Sequence, residues 1–456
     1  MIKEHIEPIE NQNSDLTKGS INQHLKRIAI PASIGFLFNT LFNVVDTIYA
    51  GRLSTDALAG LTLSFPIFFI IIAVSAGIGN AVSALGAIAL GKKDKTSFNQ
   101  LGFNALILGF ISGLLVTLFA TSFTEPLFML IGASGDALDL GVAYTNVIFY
   151  GSIFFILNAV LNGLLSAQGN TKTYRNLLII SFFLNLVLDP LFIFGWFGLP
   201  RLGVVGVALA TVLIQVIGTI YLTMRLIKSE WIDMRKLIRS KFTINTMVEL
   251  LKQAIPSSLN MATIAIGIFI INFYVLKYGG TEGVAAYGAA TRIEQLALLP
   301  ALGLNVAAMT IAGQNFGAQN KGRILEVFKK SMFAGVMIMI VGAMIIFPLA
   351  PLLISIFNND PIVISIGARY LRIEVLAFVT YVILNISISV LQGIKKPNYA
   401  IFMGIYRQAL PFALFFLLGT TLKMGLDGVW WGIVIINWSA VIITLYYIKI
   451  QLKKLK

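Results

Sequence analysis

Twelve long apolar runs recur along this 456-residue chain, and most exceed the ~20 residues that cross hydrocarbon as a helix. A chain so divided cannot hide its apolar surface in one water-soluble core. Only 12% of its residues are charged, against about a quarter in an ordinary soluble domain. In lipid every backbone polar group needs a partner within the segment or in a closed barrel. Barrel strands would show alternating apolar and polar residues over about ten positions, and the runs show none. The expected fold is therefore an all-α polytopic membrane protein of twelve transmembrane helices.

Charge then orients the helices. The net charge is +14, and if connections from odd to even helices face outside, 26 of the 34 Lys and Arg residues fall in inner strips and six in outer ones. Lys92, Lys93 and Lys95 form one such inner strip, and Arg235, Lys236, Arg239 and Lys241 belong to another. By the positive-inside rule both termini are expected in the cytoplasm, at the plasma (inner) membrane. The basic excess then serves topology and contact with anionic membrane lipids, and nucleic acid is not expected as a partner. The first 27 residues hold charges and no apolar stretch, so no cleavable signal peptide is expected. The chain has no cysteine, which excludes disulfides and thiolate chemistry. Both histidines, His5 and His24, fall in the polar N-terminal tail.

Compared with itself at an offset near 225, the chain matches from end to end. Leu25-Lys26-Arg27-Ile28-Ala29-Ile30-Pro31 answers Leu251-Lys252-Gln253-Ala254-Ile255-Pro256, Gly141-Val142-Ala143-Tyr144 answers Gly367-Ala368-Arg369-Tyr370, and Gln168-Gly169 answers Gln392-Gly393. The resulting plan is a cytoplasmic tail at 1–27, an N-lobe at 28–226, a basic cytoplasmic linker at 227–253, a C-lobe at 254–448 and a tail at 449–456. Six helices per copy is an even number, so two pseudo-symmetric lobes share one orientation. Rocking of such lobes exposes a cavity between them to either side in turn, the plan of a secondary transporter. A duplicated scaffold without a pathway is the plainer alternative.

Ionisable residues inside the spans are costly and mark function. Asn185 and Asp189 stand one turn apart on the fifth helix, an amide and a carboxylate suited to a cation. Pro190 follows, freeing the carbonyl of Leu186 and inviting a kink. Asp46 lies toward the outer end of the first helix with Asn43 on the same face. A buried carboxylate there can hold a proton or bind Na+, and polar glue between helices or a solvated interfacial acid are the alternatives. Arg292, Glu294 and Gln295 break the repeat on the eighth helix and are candidate substrate or coupling contacts, as are Asn158 and Asn162 on the fourth. Arg369, Arg372 and Glu374 are expected in an exposed network with Asp360.

Four stretches carry a resemblance over about residues 20 to 450. They are Asp46 to Gly51 with Asp56-Ala57-Leu58-Ala59, Asn162 to Lys172, Leu184-Asn185-Leu186-Val187-Leu188-Asp189-Pro190, and Gly203 to Thr211. Together they resemble the multidrug and toxic compound extrusion (MATE) family. The resemblance implies an antiporter that moves organic, often cationic and amphipathic, compounds outward in exchange for protons or sodium. It implies a cation site at Asp46, Asn185, Asp189 and Thr211, with Na+ held by the first three if sodium couples. It places no catalytic residue and no cofactor beyond the coupling ion. A carboxylate is absent from the core of the seventh helix, and Asn385 stands on the tenth where an acid is expected, which favours coupling in the N-lobe. A monomer is expected. A flippase for lipid-linked saccharides is the nearest rival. A lipid-modifying enzyme lacks the intramembrane histidine, cysteine or metal motif it would need, and a scaffold is the last alternative.

Overall fold

A computed structural model describes residues 15–455 as helices joined by short turns, with no strand among them. His5 lies outside the described residues. The chain runs α1 (Ile21–Leu53), α2 (Thr55–Gly91), α3 (Lys95–Leu130), α4 (Gly135–Tyr150), α5 (Ser152–Ala167), α6 (Lys172–Phe194) and α7 (Val204–Ile227). After a short α8 (Met234–Arg239) come α9 (Ile244–Gly317), α10 (Lys321–Ser355), α11 (Pro361–Gly393), α12 (Asn398–Phe416), which ends in a π turn at Leu417–Thr421, and α13 (Leu426–Lys453).

Two of these elements reconcile the helix count with the twelve apolar runs. The expected fourth span is the pair α4 and α5, bent by 48° at Gly151. The 74-residue α9 would measure more than about 100 Å if straight, over three times the hydrocarbon thickness. It is two spans, interrupted at Gly280, whose φ of 60° and ψ of −158° only glycine adopts without strain. Twelve crossings result, in two lobes of six.

Ile21 starts α1 seven residues before the expected boundary, because the apolar face of the helix continues through Ile21, Leu25 and Ile28, all buried. His24 is thus a buried helical residue whose Nε2 lies 2.6 Å from the Lys18 carbonyl oxygen. The C-lobe has one continuous core that includes Ile311, Phe378 and Trp430. The N-lobe packs as two clusters. One gathers Leu85, Phe98, Leu164 and Leu226 and continues onto Leu250 of α9; the other gathers Ile71, Phe128, Phe149 and Val207. Across the lobes, α9 packs most extensively on α2 and also along α1.

Candidate functional site

Three helices of the N-lobe deliver their polar residues to one point. Asp46 comes from α1, Asn185 and Asp189 from successive turns of α6, and Thr211 from α7. All four are buried, Asp189 and Asn185 completely. Asn185 Nδ2 donates to Asp46 Oδ1 at 2.8 Å, and Thr211 Oγ1 donates to Asp46 Oδ2 at 3.5 Å. The Asp189 carboxyl is close enough to that of Asp46 for the two to repel when both are charged. Both Asp189 carboxyl oxygens and Asn185 Oδ1 are buried without a hydrogen-bond donor. Three acceptor oxygens beside a second carboxylate, with no arginine or lysine among their contacts in the described residues, lack positive charge. A proton shared between the carboxyls, or a hard cation held by their oxygens, would supply it.

Pro190 does free the carbonyl of Leu186, but Tyr49 takes it, its hydroxyl donating at 3.4 Å, and α6 continues unbroken to Phe194. The freed carbonyl thus ties α6 to α1. Asn43 is exposed and donates to the Asn39 carbonyl at 3.0 Å. Asn158 is occupied by α7, donating to Gln215 Oε1 at 2.7 Å and accepting from Thr219 at 2.9 Å, while Asn162 accepts from Ser166 at 3.2 Å. Asn158 thus fastens α5 to α7, as polar groups between membrane helices commonly do, while the Asn162 bond stays within α5.

The C-lobe holds a second acidic cluster that sequence reasoning divided wrongly. Glu374 is fully buried, not part of an exposed network. Its Oε1 accepts from Tyr381 at 2.7 Å, its Oε2 has no donor, and Glu294 Oε2 accepts from Tyr370 at 3.0 Å. Arg407 of α12 stands over the Tyr381 ring at 5.4 Å and close enough to both glutamates to attract them. Tyr287, Tyr370 and Trp430 form an aromatic wall, with Tyr287 stacked on Trp430 at 5.8 Å. Glu374 is thirteen residues from the start of α11, about 20 Å along it, and so lies deep in the membrane. Arg369 instead pairs with Asp427 of α13, and Asp360 caps its own helix, accepting from Ile362 N at 2.8 Å. Arg292 and Gln295 are exposed on α9, apart from this hydrogen-bonded cluster.

A signal for the second cluster was present in the repeat. Tyr144 and Tyr370 occupy equivalent positions, Tyr144 buried beside Asp46 and Asp189 and Tyr370 bonded to Glu294. Tyr370, Glu374 and Tyr381 also share one helix face by their spacing.

The MatE family pattern matches residues 31–191 and again residues 256–417, two copies that begin 225 residues apart. Among curated proteins, the chain is similar to a probable multidrug resistance protein NorM of Thermotoga maritima, 28% identical over 420 residues, covering 91% of this chain and 89% of the relative. It is equally similar, 28% over 402 residues and 87% of each chain, to a FAD transporter of Shewanella oneidensis. Among solved structures, an outward-facing multidrug resistance MATE transporter superposes with a TM-score of 0.90 at 27% identity, covering 97% of this chain and 98% of that one.

Proposed function

Since this chain belongs to the MatE family of multidrug efflux transporters, we propose that it is a secondary active antiporter exporting organic, cationic amphipathic compounds in exchange for protons or sodium ions. The observation that carries this reading is the set of donor-less oxygens on Asp189 and Asn185 beside Asp46. Asp46 and Asp189 take up the coupling proton or ion, Asn185 orients Asp46, and Thr211 adds a hydroxyl on the far side. With sodium, Asp46, Asn185 and Asp189 are its main oxygen ligands. Binding there removes charge repulsion between the two carboxyls and so favours a different packing of α1 against α6 and α7. Export follows only if the ion binds the outward and inward states unequally.

Acids outnumber cations in the membrane interior, with Asp46, Asp189, Glu294 and Glu374 against Arg292 and Arg407, and this supports a cationic cargo. Glu294 serves as a cargo contact from the C-lobe. The helical bundle is placed in the plasma (inner) membrane as a monomer with both termini cytoplasmic, the basic strips resting on anionic lipid headgroups.

The test is efflux of a fluorescent organic cation from proteoliposomes under an imposed proton gradient and then a sodium gradient, with Asp189→Asn alongside. Gradient-driven flux that the variant loses supports the reading and names the ion. Undiminished flux in Asp189→Asn sinks the site assignment. If neither gradient moves the dye, the antiport reading falls and lipid flipping becomes the next assay.

A further inference from the structure

The segment before α1 was expected to be a polar tail, yet it is bound to the opposite lobe. Leu16 is fully buried. Its backbone N donates to Gln314 Oε1 at 3.1 Å, and its carbonyl accepts from Asn315 Nδ2 at 3.1 Å. Gln314 and Asn315 lie at the end of α9, about 300 residues away in the chain. Arg323, in the first turn of α10, grips the same segment, its Nη1 donating to the Gly19 carbonyl at 3.0 Å and its Nη2 to the Lys18 carbonyl at 3.3 Å. Its Nε donates to Asn315 Oδ1 at 3.2 Å, so the amide and the guanidinium hold each other in place. On the N-lobe side the Leu16 side chain lies against Gly169, in the turn between α5 and α6.

Beneath this segment the lobes touch backbone to backbone. A Cβ at Gly91 would fall 1.8 Å from the Gln314 carbonyl oxygen, and one at the repeat-equivalent Gly317 would fall 2.1 Å from that of Ile88. Gln314 Nε2 also donates across the seam to the Ala167 carbonyl at 2.8 Å. Any motion that opens the cavity on this side must part these contacts. Residues 15–20 run on into α1 of the N-lobe but hydrogen-bond to α9 and α10 of the C-lobe, so they resist that motion.

We propose that residues 15–20 are a strap that locks the two lobes together on the side bearing the chain's N-terminus, with Arg323 as its clasp, and that its release sets how often the cavity opens there. Asp15 helps to shape the strap, its Oδ1 accepting from Thr17 N at 2.9 Å. Burial raises the Asp15 carboxyl, but the Thr17 bonds and nearby Lys18 and Lys93 outweigh it and hold the group below its ordinary range. Lys93 belongs to the N-lobe turn between α2 and α3, so its attraction draws this end of the strap toward the N-lobe.

The proposal rests on the two-state transporter reading but can be tested without transport. The absence of native cysteine allows spin labels at Lys92→Cys and Lys321→Cys, both exposed and on opposite lobes. Pulsed electron spin resonance on the full chain in nanodiscs then measures the open population. Arg323→Gln should raise the ratio of long to short distances at least about tenfold, the worth of one charge-assisted hydrogen bond. Leu16→Ala should act in the same direction, and the double variant should exceed neither by much, because both release one strap. Unchanged distances in both single variants, or effects that add in full, would overturn the strap. If Arg323→Gln does not fold, Leu16→Ala decides alone, an unchanged distribution counting against the strap. Shifted distances without any dye efflux would leave the strap standing and remove the antiport reading.

Discussion

Each lobe gathers two carboxyl groups beside a tyrosine at the same repeat position, but the lobes neutralise them differently. Asp46 accepts from Asn185 and Thr211, Asp189 accepts from no donor, and neither has a basic partner among the described residues, whereas Glu294 and Glu374 have Arg407 nearby and one tyrosine hydroxyl each. An acid pair without a cation of its own must draw positive charge from outside, so its surroundings change whenever that charge arrives or leaves. A pair with an arginine beside it has half of its compensation already and changes less. On the proposed reading the N-lobe is therefore the responsive half and the C-lobe the half that shapes and holds the cargo.

The largest effect should come from removing the responsive charge. Asp189→Asn is expected to reduce gradient-driven efflux to the background leak while the protein stays folded, because its carboxyl already lacks donors. Glu374→Gln should lower efflux only a few-fold. Equal losses in the two variants, measured in the same proteoliposomes, would break the comparison.

Next in size is the arginine. Arg407 is half-buried and attracts Glu294 and Glu374 without a direct ion pair among the described residues, so removing it leaves both acids less compensated. Arg407→Met should therefore lower the melting temperature in detergent markedly. Adding Glu374→Gln to that variant should recover part of the loss by removing an orphaned acid. No recovery would mean that Arg407 stabilises α12 through its contact with Tyr381 rather than through charge.

Tyr370→Phe comes third. Its hydroxyl supports Glu294, and loss of a hydrogen bond to a charged acceptor is worth about 1.5–3 kcal/mol. The same substitution at the repeat-equivalent Tyr144, for which no such bond is formed, should change stability by less. Thermal melts of the two variants side by side test whether the pseudo-symmetric tyrosines have parted in role.

What could be read from the sequence follows the strength of the physical signal. Spans and repeat were legible because hydrocarbon demands about twenty apolar residues and because many weak matches share one offset. Asp189 and Asn185 stood out as polar residues one turn apart in an apolar run. Glu374 did not, because two arginines within five residues made its neighbourhood look like a charged helix end, and only the start of α11 at Pro361 shows its depth. Arg407 and Tyr381 meet only through the packing of α12 on α11, which no local spacing encodes. The strap was least legible, since a lone Leu16 among polar residues says nothing of a partner 298 positions away.

The smallest prediction concerns two helix starts that the repeat also pairs. Asp94 caps α3, accepting from Ser97 N at 2.9 Å, and Asn320 caps α10, accepting from Arg323 N at 3.3 Å. Bonds from the Ser97 side chain and backbone hold the Asp94 carboxyl below its ordinary range. A carboxyl lowered in the folded state binds its proton less readily than in the unfolded chain. Its contribution is complete above the unfolded carboxylate's range and fades as pH falls through the folded value. Asn320 carries no such charge. Asp94→Ala should cost about 1 kcal/mol at neutral pH, the usual worth of an N-cap, and that cost should shrink on acidification. Asn320→Ala should cost a similar amount at every pH. Melts of both variants at neutral and acidic pH would show this, and a cost at Asp94 that did not shrink would place its value in shape rather than in charge.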